Sequence, residues 1–443
     1  MMTLNEIAAQ LGCPLMGSID VKNIVIDSRQ VEPGSLFVAL KGDRFDGHDY
    51  MAAAEKLGAI GVLCEKKDVK LNIPQLIVPS SLAAMTQLAT YYRQKMNCPV
   101  IAVTGSNGKT SVKEMIYSIL PKPAHATPGN LNNHIGVPLA ILQLKPEHRY
   151  AVFELGANHL GEIAHTAAMV KPIVTLINNI GPAHIAEFGS IDNVARAKGE
   201  IHQGLMPNGT AVINDDDEYA HFWDGLLIGK KILRFSIEKP SDLHAKEITL
   251  DADGRASFIL VLPTGEAKVQ LQIPGIHAVR NALAAAACCY AIGISLPDIV
   301  LGLTSFHGVS GRMTFLQGKN HALIIDDTYN ANLRSVLAAV DVLSKREGQR
   351  ILVLGDLGEL GDFTQSHHEE IGRVAREKGI DRLMTCGNQS KFSTYAFGAL
   401  AKHYVDQKQL AHDLLPYLNK QTTVLVKGSR SAAMEKVVHE LLD

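Results

Sequence analysis

At 443 residues, 46% of them hydrophobic, the chain is long enough for roughly two to four domains, each with its own core. Its 43 basic and 45 acidic residues nearly cancel and are scattered, which excludes the basic footprint of a nucleic-acid binder and favours small anionic partners. Six cysteines with no C-x-x-C pair and no regular spacing fit a reduced compartment better than a disulfide framework.

The first twelve residues carry no basic segment ahead of an apolar core, so no secretory signal is expected. The most apolar helical stretch, Ala282 to Ile294, is shorter than the ~18 residues of a membrane span. A cytoplasmic protein without membrane insertion is the expectation. Up to about residue 80, apolar runs (Asn23 to Ile26, Leu36 to Leu40, Ala59 to Cys64, Gln75 to Val78) alternate with turns such as Glu32-Pro33-Gly34, the pattern of a small α/β domain. Ser80 or Ser81 is placed to cap a helix reaching Met96, which Asn97-Cys98-Pro99 breaks.

Pro99 to Val112 follows as PVIAVTGSNGKTSV, a buried strand that runs into a glycine turn and a Lys-Thr pair. Gly105, Ser106, Asn107 and Gly108 would aim backbone N–H groups at an anion from a helix N-terminus. Lys109 would reach outer phosphates and the Thr110 hydroxyl a Mg2+ ion. The general phosphate-loop pattern has four residues between its glycines, whereas Gly105 and Gly108 enclose two.

Strand candidates Tyr150 to Phe153, Ile173 to Asn178 and Thr210 to Asn214 alternate with helical segments, predicting a largely parallel sheet with helices on both faces. Glu154 and His184 lie just beyond two of these strands, where a doubly wound sheet gathers ligands. Lys198 reads from its surroundings as an ordinary helix lysine. Hairpins are expected around Asp253-Gly254 and Thr264-Gly265, then an alanine-rich helix over Val279 to Tyr290. His277 and Asn281, one helical turn apart, could flank a flat ring or cap that helix.

In the last third, His321 to Ile325, Arg350 to Leu354, Arg382 to Thr385 and Thr423 to Val426 predict a dinucleotide-type α/β domain. Polar turns end three of these strands: Asp326 to Asn332, Gly355-Asp356-Leu357-Gly358-Glu359, and Lys427-Gly428-Ser429-Arg430. They suggest one shared crevice. Lys427 and Arg430 suit a carboxylate or phosphate. The Asp326 to Asn332 turn could equally cap the next helix. The predicted division is 1–81, 82–311 and 312–443.

Taken in order, Thr104 to Thr110, Glu154, His184, Ala197-Lys198, Gly275-Ile276-His277 with Asn281, Gly311-Arg312 and Asp326-Asp327-Thr328-Tyr329-Asn330 resemble the landmarks of the Mur ligase family. The short glycine loop is that family's usual form. Thr127 to Asn133, Lys198 to Ile201, Gly355 to Gly361 and Lys427 to Ser431 most resemble the family member that joins D-alanyl-D-alanine to a UDP-N-acetylmuramoyl-tripeptide. His134 and Leu333 depart from the pattern, standing where an acid or amide and a proline are expected.

The resemblance implies three α/β domains: a small N-terminal one, a central phosphate-loop domain and a Rossmann-like C-terminal one. It implies an ATP- and Mg2+-dependent ligase of peptidoglycan precursor synthesis that works through an acyl phosphate. Catalysis would rest on Lys109, Lys198, His184 and Glu154. Gly105 to Thr110 with Ser111, His277, Asn281, Arg312 and Asp326 would hold ATP. Thr110, Glu154, His184 and Lys198 would hold metal, Lys198 as a carbamate. Ser28, Arg29, Gly42, Phe45, Asp46, Gly47, His48, Asn132 and Asn133 would meet the UDP substrate. Tyr329, Asn330, Lys427 and Arg430 would meet the dipeptide. A monomer is expected. Three alternatives stand beside this reading: the Mur ligase that adds the third, diamino acid residue; a folate polyglutamylating ligase; and a nucleotide-binding switch without ligase activity.

Overall fold

The computed structural model describes residues 2–13, 18–42, 45–182 and 185–442, an α/β fold on three sheets. The first sheet has four parallel strands in the order Asn23–Val25, Ser35–Val38, Gly61–Cys64, Gln75–Ile77. Its two middle strands are buried at every position, as parallel strands covered on both faces must be. Leu36, Val38 and Leu63 pack with Leu4 and Ile7 in one cluster. Phe37, Val62 and Cys64 pack with Met51 and Ala54 in another.

The expected helix after residue 80 runs over Ser81–Lys95, and the Ser80 hydroxyl accepts the Ala83 N–H at 3.2 Å. It delivers the chain to the central sheet of nine strands. These lie in the order Gly265–Pro274, Arg255–Leu262, Leu243–Leu250, Lys231–Ser236, Thr210–Asn214, Val174–Ile177, Val100–Thr104, Tyr150–Glu154, Ala124–Ala126. Pairing is parallel from Leu243–Leu250 onward and antiparallel in the two hairpins, which turn at the expected sites. Lys231–Ser236 and Ala124–Ala126 have no clear signal in the apolar pattern: the first exposes two of its six residues and the second is three residues long.

The alanine-rich helix spans Ile276–Ala291, three residues ahead of its expected start, with Ala282 to Cys289 wholly buried against the sheet. Its early start puts His277 in the first turn. The third sheet orders its six strands as Thr314–Gln317, Leu323–Asp327, Thr422–Lys427, Gln349–Gly355, Arg382–Cys386, Ala401–Tyr404. The four expected strands are the inner ones. Both edges are additions, and only Thr314–Gln317 runs antiparallel. Separate cores cover its two faces. Ile325, Leu352 and Leu425 pack with helices Leu333–Ser344 and Thr364–Glu377, while Ile324, Ile351 and Val424 pack with Gln407–Leu414 and Glu435–Leu441. Among the described residues no helix is long and apolar enough to cross a membrane.

Candidate active site

Val100–Thr104 lies between Val174–Ile177 and Tyr150–Glu154, all parallel, so three carboxyl ends open on one edge of the sheet. Ligands gather at such an edge where the strand order reverses. The chain leaves Thr104 through Gly105 to Gly108 and enters helix Lys109–Ile119. Gly108 sits at φ 76°, and a Cβ there would lie 2.7 Å from both the Asn178 amide nitrogen and the Asn281 side-chain oxygen. A larger residue does not fit.

Asparagines frame this loop. The Asn107 N–H donates to Asn179 Oδ1 at 2.8 Å, and the Ser106 N–H to the Asn179 carbonyl at 2.9 Å. Asn178 Nδ2 donates to the Asn107 carbonyl and to Asn281 Oδ1, each at 3.0 Å. Lys109 curls back so that its Nζ donates to the Gly105 carbonyl at 2.8 Å. Burial holds its pKa below the usual lysine value; Glu154 opposes that shift and Arg312 adds to it.

Thr110 Oγ1 donates to Glu154 Oε2 at 2.8 Å and accepts from Arg312 Nη2 at 2.9 Å. The second carboxylate oxygen of Glu154 accepts from Asn132 Nδ2 at 2.8 Å. Lys113, which the sequence reading passed over, is fully buried on the same helix as Thr110. Its ammonium donates to the Thr127 carbonyl at 2.7 Å, and Thr127 Oγ1 accepts the Glu154 N–H at 2.9 Å. A lysine at helical spacing gives no sequence cue for that tie.

Helix Ile191–Gly199 brings Lys198 to the same cavity, of about 720 Å3, with 2% of its surface exposed. Burial pushes its pKa well below the lysine range, and the Lys109 charge pushes the same way. Ser106 to Ser111, Asn132, Asn133, Glu154, His277, Asn281, Arg312, Tyr329, Asn330, Lys427 and Arg430 line this cavity too. His184 lies outside the described residues. The Thr110 hydroxyl and the Glu154 carboxylate, in mutual contact, are the hard oxygen donors that Mg2+ takes. An ammonium at Lys198 repels a cation.

His277 is held below the ordinary histidine pKa by burial, against the pull of Asp327. It stands one turn from Asn281 on a shared wall. From the third sheet, the Arg312 guanidinium stacks 4.2 Å from the Tyr329 ring centre. Asp326 is placed differently from expectation. Its Oδ1 accepts from the Thr328 hydroxyl at 2.6 Å and Asp326 does not line the cavity, whereas Asp327, its neighbour on an alternating strand, does.

Lys427 is not a free cation for a ligand. Its ammonium is held by Asp327 Oδ2 at 2.5 Å and by the Asn330 carbonyl at 2.9 Å, so it fixes the Asn330 turn. Arg430, two-thirds exposed at its side chain, pairs with Glu435 at 3.0 Å. Asn332 takes the cap of helix Leu333–Ser344, and its Nδ2 also reaches Asn107 Oδ1 at 2.7 Å.

Of the residues expected to meet a UDP group, Asn132 and Asn133 line the cavity. Ser28, Arg29, Gly42, Phe45, Asp46, Gly47 and His48 stand apart on the first sheet's loops. Arg29 is exposed and paired with Asp27, and Phe45 presents an exposed ring. A Cβ on Gly47 would come within 2.7 Å of the Leu40 carbonyl oxygen, so this loop closes tightly. His48 is tied into the same loop. His48 Nε2 accepts the Glu65 N–H at 2.9 Å, which leaves the proton on Nδ1, 2.5 Å from Asp46. Both ring nitrogens are engaged inside the fold.

Comparison with known proteins agrees with this geometry. The Mur ligase middle domain matches residues 103–289, the Mur ligase glutamate ligase domain 311–430, and the Mur ligase family catalytic domain 20–104. The UDP-N-acetylmuramoyl-tripeptide–D-alanyl-D-alanine ligase of Escherichia coli K12 is 43% identical, over 99% of this chain and 98% of that protein. The crystal structure of MurF from Acinetobacter baumannii superposes with a TM-score of 0.91 at 38% identity, covering 99% and 98% of the two chains. MurF ligase from Thermotoga maritima in complex with ADP gives 0.83 at 28% identity, covering 95% and 97%. With these matches spread across all three sheets and the phosphate loop at the end of an inner strand of the second, the chain belongs to the Mur ligase family.

Proposed function

We propose that the chain is an ATP-dependent ligase that joins D-alanyl-D-alanine to UDP-N-acetylmuramoyl-tripeptide, giving the pentapeptide precursor, ADP and phosphate in the cytoplasm. The observation that carries this reading is the meeting of Lys109, the Thr110–Glu154 pair and Lys198 in one cavity, faced by Tyr329 and Asn330 from another sheet. A phosphate cradle alone serves many proteins. A cradle opposed by a second module suits the joining of two substrates at the expense of ATP. Identity of 43% and 40% over 99% of the chain to two UDP-N-acetylmuramoyl-tripeptide–D-alanyl-D-alanine ligases favours this substrate pair over the diamino acid, folate and switch alternatives.

In the proposed reaction the terminal carboxylate of the tripeptide attacks the γ-phosphorus of ATP, forming an acyl phosphate and releasing ADP. The free amine of D-alanyl-D-alanine then attacks the acyl carbon and phosphate leaves. Gly105 to Ser111 cradle the phosphates through backbone N–H groups, and Lys109, released from the Gly105 carbonyl, follows the charge that develops on the transferred group. His277 and Asn281 flank the adenine, and Arg312 reaches the nucleotide from the third sheet. Mg2+, when bound, would offset phosphate charge. Thr110 and Glu154 are its proposed ligands, with His184 and a carbamylated Lys198 at a second ion.

Ser28, Arg29, Gly42 and Phe45 to His48 are assigned to the uridine nucleotide, with Asn132 and Asn133 along its path to the cavity. Tyr329, Asn330 and Arg430 are assigned to the dipeptide, Lys427 acting through the Asn330 turn. The functional division proposed is 1–81 for the UDP substrate, 82–311 for ATP and 312–443 for the dipeptide. Phosphate release measured with each substrate omitted in turn tests the reading. Release that requires ATP, UDP-tripeptide and D-alanyl-D-alanine together is expected; release indifferent to the peptide substrates would assign a different activity.

A further inference from the structure

Arg334 is a cation in the first turn of helix Leu333–Ser344, where the helix dipole disfavours it and where Asn332 already caps the backbone. Neither local helix stability nor capping accounts for its position. Its guanidinium reaches out of the third sheet's helix into the central module, where Nη1 donates to the Ile180 carbonyl at 2.7 Å. The side chain lies over Gly181, where a Cβ would stand 3.2 Å from Arg334 Cδ. Resting on the reading above, we propose that Arg334 is a positioning residue, through which docking of the third module completes the nucleotide site.

The path from Arg334 to the phosphate loop is short. The Ile180 N–H donates to the half-buried Asp217 carboxylate at 2.8 Å, so one peptide group is held from within the central module and the next from the third. Gly181 exchanges two hydrogen bonds of 2.9 Å with the Ser106 hydroxyl, as donor through its N–H and as acceptor through its carbonyl. Asn179 binds the Ser106 and Asn107 N–H groups. Residues 179–181 thus form the back wall of the loop, and Arg334 pins that wall from across the gap. Two residues earlier, Asn332 touches Asn107 directly, so the same helix start grips the loop at a second point. With the third module swung away, the Ile180 carbonyl loses its partner and the wall loses one of its fixings.

The test compares the parent with Arg334→Met, which keeps the packing over Gly181, and Arg334→Lys, which restores a donor. Phosphate release with all three substrates should show kcat lowered about tenfold or more in Arg334→Met, because small misplacements at a reacting site are amplified. KM for the UDP-tripeptide should stay within about twofold, and Arg334→Lys should recover part of kcat. In the ligand-free chain, amide exchange at Ile180 and Gly181 should quicken about tenfold in Arg334→Met while Val174–Ile177 stays protected. Unchanged exchange, a kcat near the parent's, or a loss confined to KM would overturn the assignment. A parent that releases no phosphate in response to the peptide substrates would defeat the proposed function instead, and the exchange comparison would still decide the role of Arg334. If Arg334→Met opened the whole sheet, Arg334→Lys supplies the comparison.

Discussion

Lys109→Ala is expected to lower turnover by about 10²–10³-fold or more, the scale on which removing one preorganised electrostatic stabiliser acts, while leaving the fold intact. The two halves of that expectation have separate causes. Activity falls because no other described cation stands on the loop itself: Arg312 approaches from the third sheet and is engaged with Thr110 and Tyr329. The fold survives because, among the described residues, Nζ is bonded only to loop carbonyls of Gly105 and Ser106, and because a buried ammonium whose pKa is pushed down opposes folding rather than favouring it. Initial rates and a urea unfolding curve check both parts. An active Lys109→Ala protein would remove the loop from catalysis, and an unfolded one would make Lys109 structural.

Lys198→Ala should lose most activity, and a short carboxylic acid added to the buffer should restore some of it. An amine at 2% exposure beside Lys109 is held well below the lysine range, which favours the neutral form, whose free electron pair attacks the carbon of CO2, releasing one proton and leaving a carbamate. The product is an anionic oxygen donor where the ammonium would repel metal. The sign of the pH effect follows. In CO2-free buffer, protonation is disfavoured in the fold, so stability rises with pH between the lowered folded value and the ordinary lysine value. Lys198→Ala should lack that rise. Parent-like activity in Lys198→Ala, without added acid, would exclude the carbamate.

Much of this site was legible in the residues because each part sits where a strand ends. Thr104, Glu154 and Asp327 close buried apolar runs, and parallel pairing then brings their ends to open edges of two sheets. What escaped the sequence depends on contacts between distant segments. The asparagine pair 178–179 read as a polar turn, yet it builds the wall of the phosphate loop across more than seventy residues. Lys113 and Arg334 have the spacing of ordinary helix cations, and only the fold reveals that one is buried against Thr127 and the other bridges two modules. At His48 the fold adds contacts that the motif did not announce, the Glu65 N–H and Asp46 engaging its two ring nitrogens. At Asp326 the motif was right about the turn, and strand alternation decided that Asp327 is the residue facing the cavity.

The most direct test of the ligase reading is the mass of the product formed by the purified chain with ATP, Mg2+, UDP-N-acetylmuramoyl-tripeptide and D-alanyl-D-alanine. The account predicts a single new species, heavier than the tripeptide nucleotide by one dipeptide less one water, formed one for one with ADP and phosphate. A tripeptide nucleotide recovered unchanged while ATP is consumed, or extended by a single amino acid, would contradict it.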